Sequence, residues 1–242
     1  MTHRLYVTVL MVLLIPGGRA RAAQAASGEN DPRVEELYSR AKAAQSQGDI
    51  AGAISKYEEI LRIAPRLGPA YNNLGALYFR QRDYRKAAAV LEQGLKINPA
   101  MPSASALLGI ALFEMGEYAK ARPRLEAALR INGNDSNAQM YLVKDLNKLG
   151  DYEAAAVQLR QIVSHQPKNQ EAWYLLAKVY MKLSEQALGS MNAIDPHSVL
   201  AHELSGEMME AMNNYDGAVV ELKKAVEMAP RQPGTHYKLG DA

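Results

Sequence analysis

Cysteine is absent from this chain. That excludes a disulfide framework and a cysteine-linked lipid anchor. There is one tryptophan and there are two phenylalanines, against thirteen tyrosines, so tyrosine and alanine carry the packing. No glycine-rich phosphate loop occurs, and no motif supports a nucleophile with its base. His202-Glu203 begins like a zinc-binding H-E-x-x-H, but Gly206 stands where the second imidazole belongs. Without two imidazoles one turn apart there is no zinc pair. Asn132-Gly133-Asn134-Asp135 lacks the alternating acidic ligands of a calcium loop and reads as a turn. His202 and His236 read as structural, and His165 and His197 as solvated. No metal, no cofactor and no enzymatic activity are expected.

Charge of one sign is also missing. The formal net charge is +2, with no basic stripe to hold a nucleic acid. Three of the cations, Arg4, Arg19 and Arg21, lie in the first 25 residues. These residues have the layout of a secretory signal peptide. His3 and Arg4 form the basic start. Leu5 to Ile15 is an uncharged apolar run, broken by Pro16-Gly17-Gly18, and small-x-small sites follow at Ala20-Arg21-Ala22 and Ala23-Gln24-Ala25. The run is shorter than the roughly 20 residues of a membrane-spanning helix. Cleavage takes the charge from +2 to −1 and leaves an exported chain, periplasmic or secreted. The alternative for the same residues is an uncleaved membrane anchor, the one case in which a membrane partner is expected. Residues 26–32 form a polar linker, and Asp31-Pro32 has the form of a helix start.

What the chain has in abundance is periodicity. Tyr71, Leu74, Gly75, Tyr78, Ala87, Leu91, Gly94 and Pro99 form one copy of a 34-residue pattern. Pro65 and Pro99, and again Pro196 and Pro230, stand 34 apart. Such a period means stacked supersecondary units rather than one globular core. A small residue recurs twelve positions before another: Ala41 with Ala53, Gly75 with Ala87, Gly109 with Ala121, Gly206 with Ala218. That spacing is read as the crossing of two antiparallel helices, where small side chains allow close approach. Gly48-Asp49, Arg82-Asp83, Gly116-Glu117, Gly150-Asp151 and Asn213-Asn214 supply turn chemistry between the helices. Apolar residues such as Leu142, Leu146, Val157 and Leu159 recur at helical spacing.

A 34-residue helix–turn–helix with this pattern resembles the tetratricopeptide repeat family, over residues 33–242. The resemblance implies an all-α fold, a right-handed superhelical solenoid of antiparallel helix pairs. Units are placed at about 34–67, 68–101, 102–135, 136–169, 170–198 and 199–232, with a partial seventh at 233–242. The fifth is irregular. Pro167 and Pro196 are only 29 apart, and the turn between its helices is what is missing, which predicts a long or bent helix from Glu171 to Ile194. Leu239-Gly240 would lack a partner helix, which predicts a continuation beyond Ala242.

In the family that it resembles, the first helices line a concave groove that holds an extended peptide or a helix of a partner. By register that face carries Tyr38 and Lys42, then Asn72, Asn73, Phe79 and Arg80, then Ile110 and Phe113. Met140, Tyr141, Lys144 and Lys148 follow, and then Tyr174, Lys178, Met181 and Lys182. The amides of Asn72 and Asn73 offer donors and acceptors to a peptide backbone. The four lysines, i and i+4 on neighbouring first helices, suit a carboxylate or an acidic segment. Glu203, Glu207 and Glu210 turn the next unit acidic. The carboxylate clamp of chaperone-binding members is not matched. Its positions hold Tyr38, Lys42, Asn73, Ser103 and Leu107, of which only Asn73 agrees.

The resemblance implies a non-catalytic protein-interaction scaffold, and the leader places it in the cell envelope as an expectation. Its partner would be a protein or peptide, not a nucleic acid or small-molecule substrate. The alternatives are a docking or regulatory module of a larger envelope enzyme and an assembly factor of an envelope or secretion complex.

Overall fold

The computed structural model describes residues 28–242; the leader read at residues 1–25 lies outside the described residues. Among the described residues there are twelve α-helices and no strand, an all-α helical repeat fold. The first seven helices are α1 (Pro32–Ser46), α2 (Ile50–Ile63), α3 (Gly68–Arg80), α4 (Tyr84–Ile97), α5 (Pro102–Glu114), α6 (Tyr118–Ile131) and α7 (Ser136–Leu149). They are followed by α8 (Tyr152–His165), α9 (Gln170–Ile194), α10 (Val199–Ala211), α11 (Tyr215–Met228) and α12 (Pro233–Asp241). Two compact units divide the chain within α7, one up to Asp145 and one from Leu146.

Each short turn is built in the same way. Its first residue has a positive φ: Gly48 79°, Arg82 60°, Gly116 76°, Gly150 74° and Asn213 60°. That left-handed conformation ends one helix. In four of the five turns the next residue caps the following helix with its side chain. Asp49 accepts from Gly52 N–H at 2.8 Å, Asp83 from Lys86 N–H at 3.1 Å, Asp151 from Ala154 N–H at 3.2 Å and Asn214 from Gly217 N–H at 3.2 Å. Each cap satisfies an amide that the first turn of a helix leaves unbonded.

In the first unit α1 packs on α2, α3 on α4 and α5 on α6, and α3 also touches α5. The antiparallel sense follows from the close contacts. A Cβ built on Gly75 would stand 2.5 Å from the Leu91 side chain, and one on Gly94 would stand 2.7 Å from Tyr71 Cβ. Gly109 meets Leu125 in the same way, and in the second unit Gly206 meets Leu222. The close neighbour of each of the three glycines Gly75, Gly109 and Gly206 is therefore a leucine sixteen positions on, rather than the alanine twelve positions on expected from the sequence. Ala53, Ala87, Ala121 and Ala218 are buried nonetheless, at 0% exposure. A second departure is Val157, which is 42% exposed although it shares helical spacing with core residues.

The second unit contains α8 to α12, each packed on the next. Where the first four repeats and the sixth have two helices and a turn, the fifth has α9 alone, 25 residues without interruption. Asn169 caps its start, accepting from Ala172 N–H at 3.0 Å.

Two stability effects follow. Arg82 is forced into a left-handed conformation that costs a side-chain-bearing residue roughly 1 kcal/mol. Arg82→Gly is expected to stabilise the chain by about 1 kcal/mol in urea denaturation. Gly75→Leu, which drives a side chain into Leu91, is expected to lower stability by about 2 kcal/mol or more.

Candidate functional site

The residues assigned to the first-helix face are placed differently by their helices. In the first unit, Tyr38 on α1 stands edge-on to Tyr57 on α2, with ring centroids 5.4 Å apart. Its hydroxyl takes a hydrogen bond from the Asn73 amide of α3. The same amide reaches the Tyr57 hydroxyl at 3.4 Å. Burial raises the pKa of both phenols. Asn73 therefore ties three helices together, and its NH2 group is engaged in the framework rather than held out to a peptide. The Asn72 side-chain oxygen is buried with no partner among the described residues. Arg80 is exposed.

The two phenylalanines do the same thing 34 residues apart. Phe79 packs on Tyr84 at 5.3 Å and Phe113 on Tyr118 at 5.2 Å, each bracing a turn. Phe113 also meets Tyr141 of α7 edge-on at 5.4 Å. The Tyr141 hydroxyl donates to Glu114 Oε1 at 3.0 Å. Met140 is half-buried. Ile110, expected on the open face, is buried at 7% exposure. The reason is that α5 is enclosed by α3, α4 and α6, which leaves its middle without an open side.

The four lysines divide between the two units. In the first, Lys144 Nζ lies 5.3 Å from the centre of the Tyr141 ring. In the second, Lys178 lies 5.5 Å from the centre of Tyr174, Lys182 pairs with Glu185 at 2.6 Å, and Lys148 is exposed. Tyr174 is 62% and Met181 45% exposed. Lys42 repeats the stacking, 5.4 Å from the centre of Tyr38. Lys42, Lys144 and Lys178 share one repeat position, and each covers a tyrosine three or four residues before it. The sequence reading listed these side chains and missed their pairing. The signal was the i, i+3 or i, i+4 spacing of an aromatic and a cation on a helix.

Of the acidic residues expected after Lys182, Glu203 is internal, Glu210 half-buried and Glu207 exposed. Glu203 is buried at 6% exposure, accepts from Thr235 Oγ1 at 2.6 Å and pairs with Lys238 at 2.8 Å. Lys238 and Thr235 hold its carboxyl below the usual range. Glu207 pairs with the same lysine at 2.7 Å. His202 is half-buried against Glu221, Nδ1 to Oε2 2.7 Å. His236 is exposed, with Nε2 2.9 Å from the Pro230 carbonyl oxygen. Among the described residues no three His, Cys, Asp or Glu side chains are grouped to hold a metal, and no helix is long and apolar enough to cross a membrane.

Asp145 on α7 occupies the position of Leu77, Ala111 and Val179, and like them is fully buried. Neither carboxylate oxygen has a hydrogen-bond partner among the described residues. Burial pushes its carboxyl up to about 6, opposed by the Arg122 charge and reinforced by Glu126.

The comparisons bear on this arrangement. The tetratricopeptide repeat family model matches residues 78–144 and 146–185. A tetratricopeptide repeat protein from Parabacteroides merdae superposes with a TM-score of 0.54 at 18% identity, covering 91% of this chain and 88% of that one. MamA from Desulfovibrio magneticus gives 0.52 at 18% identity, covering 83% and 97%. YrrB, described as a TPR protein with an unusual peptide-binding site, gives 0.51 at 18% identity, covering 90% and 95%. These likenesses show the fold. No curated protein matches the chain.

A carboxyl raised on folding favours the folded state while it is protonated. For Asp145 that contribution is present below the ordinary carboxylate value of 3.8 and is lost as pH rises to about 6. Asp145→Asn is expected to be more stable than the parent chain at neutral pH, by at most ~3 kcal/mol. The gap should close as urea denaturation is repeated towards pH 4, and a gap independent of pH would contradict the assignment.

Proposed function

We propose that this chain is a non-catalytic protein-interaction scaffold that takes an extended or helical partner segment on its first-helix face. The observation that carries this reading is the Tyr–Lys stack, repeated at Tyr38–Lys42, Tyr141–Lys144 and Tyr174–Lys178. Tyr38 and Tyr141 are fixed from behind by Asn73 and Glu114. Rings fixed in this way lose little freedom on binding, which favours them as interface anchors. A lysine over each ring adds a cation beside an apolar surface. The partner that suits this chemistry is a peptide with acidic side chains interleaved with aliphatic ones. The match of the tetratricopeptide repeat model to 78–144 and 146–185 supports the reading, as does the peptide-binding site described for YrrB.

The absence of enzymatic activity belongs to the same proposal. The histidines and the buried glutamate that a catalyst would use hold the framework together: His202 with Glu221, and Glu203 with Thr235 and Lys238. The compartment is part of it too. The leader read at residues 1–25 would deliver the chain to the cell envelope, where its partner would be found.

The test is selection from a displayed peptide library against the purified chain. Enriched sequences should carry Asp or Glu among aliphatic residues. Lys42→Glu and Lys144→Glu together should weaken their binding about tenfold or more, equivalent to about 1.4 kcal/mol, with the thermal melt unchanged. Equal binding by parent and variant would remove the first-helix face as the site.

A further inference from the structure

The fused helix α9 leaves a face uncovered that every regular repeat covers. Its first half aligns with α3, so that Trp173 stands where Tyr71 does, Ala177 where Gly75 does and Tyr180 where Tyr78 does. Tyr71 and Tyr78 are each 9% exposed, whereas Trp173 is 50% and Tyr180 44% exposed. Trp173 is nonetheless set as its counterpart is. Its indole N–H donates to the Pro167 carbonyl at 3.0 Å, as the Tyr71 hydroxyl donates to Pro65 at the same distance. The ring is anchored for a neighbour that the chain itself does not bring to it.

The covering helix is not lost. Counted back from Pro196, the second half of α9 aligns with α4: Leu188 with Leu91, Met191 with Gly94, Ile194 with Ile97. Lys182 then falls on Arg80 and Leu183 on Lys86. The five residues between them, the equivalents of Gln81 to Arg85, are the turn and the start of the second helix. Each half of α9 keeps its outer neighbour. The first half packs on α8 and the second leads into α10, and both contacts are present. Only the contact of the two halves with each other is missing. One rigid helix cannot make it, because Ala177 and Leu188 are eleven residues, about 16 Å, apart along it.

We infer that α9 pairs antiparallel with α9 of a second copy of this chain, so that the second half of each covers the Trp173–Ala177–Tyr180 face of the other. The register supports a closed two-fold. In the regular pair, residue 75 meets 91 and 71 meets 94. Transferred to α9, these contacts become 177 with 188 and 173 with 191, and both centre the axis at the fusion point beside Lys182. A two-fold makes each contact twice, which gives an isologous and closed dimer. Charges near the axis balance, with Lys182 and Glu185 from each copy. Alanine at 177 is compatible with a close crossing, since Ala41 holds the same position in the first repeat and is fully buried. A missing hinge that prevents an element from folding back on its own chain is the usual condition for exchange between copies.

The chain has no cysteine and one tryptophan, which makes the test direct. The protein expressed from the full chain is expected to sediment as a dimer. Ala177→Cys with Leu188→Cys should oxidise to a covalent dimer, because the paired Cβ atoms stand within disulfide reach; neither single variant should. A variant with the five residues of 81–85 inserted after Lys182 should regain the turn. It should sediment as a monomer, with Trp173 emission at least as blue-shifted as in the parent dimer. The inference is overturned if the parent is a monomer with solvent-exposed tryptophan emission at every accessible concentration. It is overturned equally by a dimer in which the double-cysteine pair does not cross-link, or by an insertion variant that stays dimeric.

Discussion

Three of the regular helix pairs turn on one kind of close approach. A small residue on the first helix receives a leucine sixteen positions later, as Gly75 does Leu91, Gly109 does Leu125 and Gly206 does Leu222. The glycines leave no room for a further carbon, so the helices touch backbone to side chain, and in the second repeat the buried Tyr71 and Tyr78 flank the seam. The approach is possible only because a short turn, with one left-handed residue and a capping side chain, returns the chain at the right distance. Stability in such an array is local, with each pair covering itself and its immediate neighbours. The fifth repeat shows the dependence by default. Without its turn, the same side chains are present in the same order, yet Trp173 and Tyr180 remain half-exposed.

The side chains on the first-helix face serve the framework and the surface together. Asn73, Phe113 and Glu114 fix rings whose opposite sides carry lysines. That explains why a face rich in tyrosine is compatible with a stable array. Each ring is held by an edge or a hydroxyl, and its remaining area is free for contact. It also explains why polar residues on the face differ in role. Asn73 is bonded inward, Lys148 is exposed, and Glu203 is withdrawn into a buried pair with Lys238.

Much of the architecture was legible because it is periodic. The turn residues at 48, 116, 150 and 213 declare themselves by chemistry as well as spacing, Arg82 by spacing alone, and all five have a positive φ. The fusion in the fifth repeat was legible from a prolines' interval five residues too short. The face residues were less so. Ile110 occupies a face position by count, but α5 is enclosed, and a one-dimensional register carries no information about what encloses a helix. The choice between Ala87 and Leu91 as the neighbour of Gly75 depends on how far the second helix slides along the first, which small-residue spacing does not report. Asp145 fell in a pattern of apolar residues, where only burial distinguishes a buried charge from a solvated one.

The amino-acid sequence by itself determined the repeat, the helix–turn–helix unit, the capped turns and the place where the pattern breaks, because each of these rests on contacts between residues a few positions apart. Tertiary structure alone decided which side chains are spent on the framework and which remain on the surface. Asn73 and Asn72, and Lys178 and Lys182, are alike in type, and Tyr78 and Tyr180 in type and register, yet the members of each pair differ in what stands across from them. That neighbour is supplied by another helix, so it is a property of packing and not of the local chain.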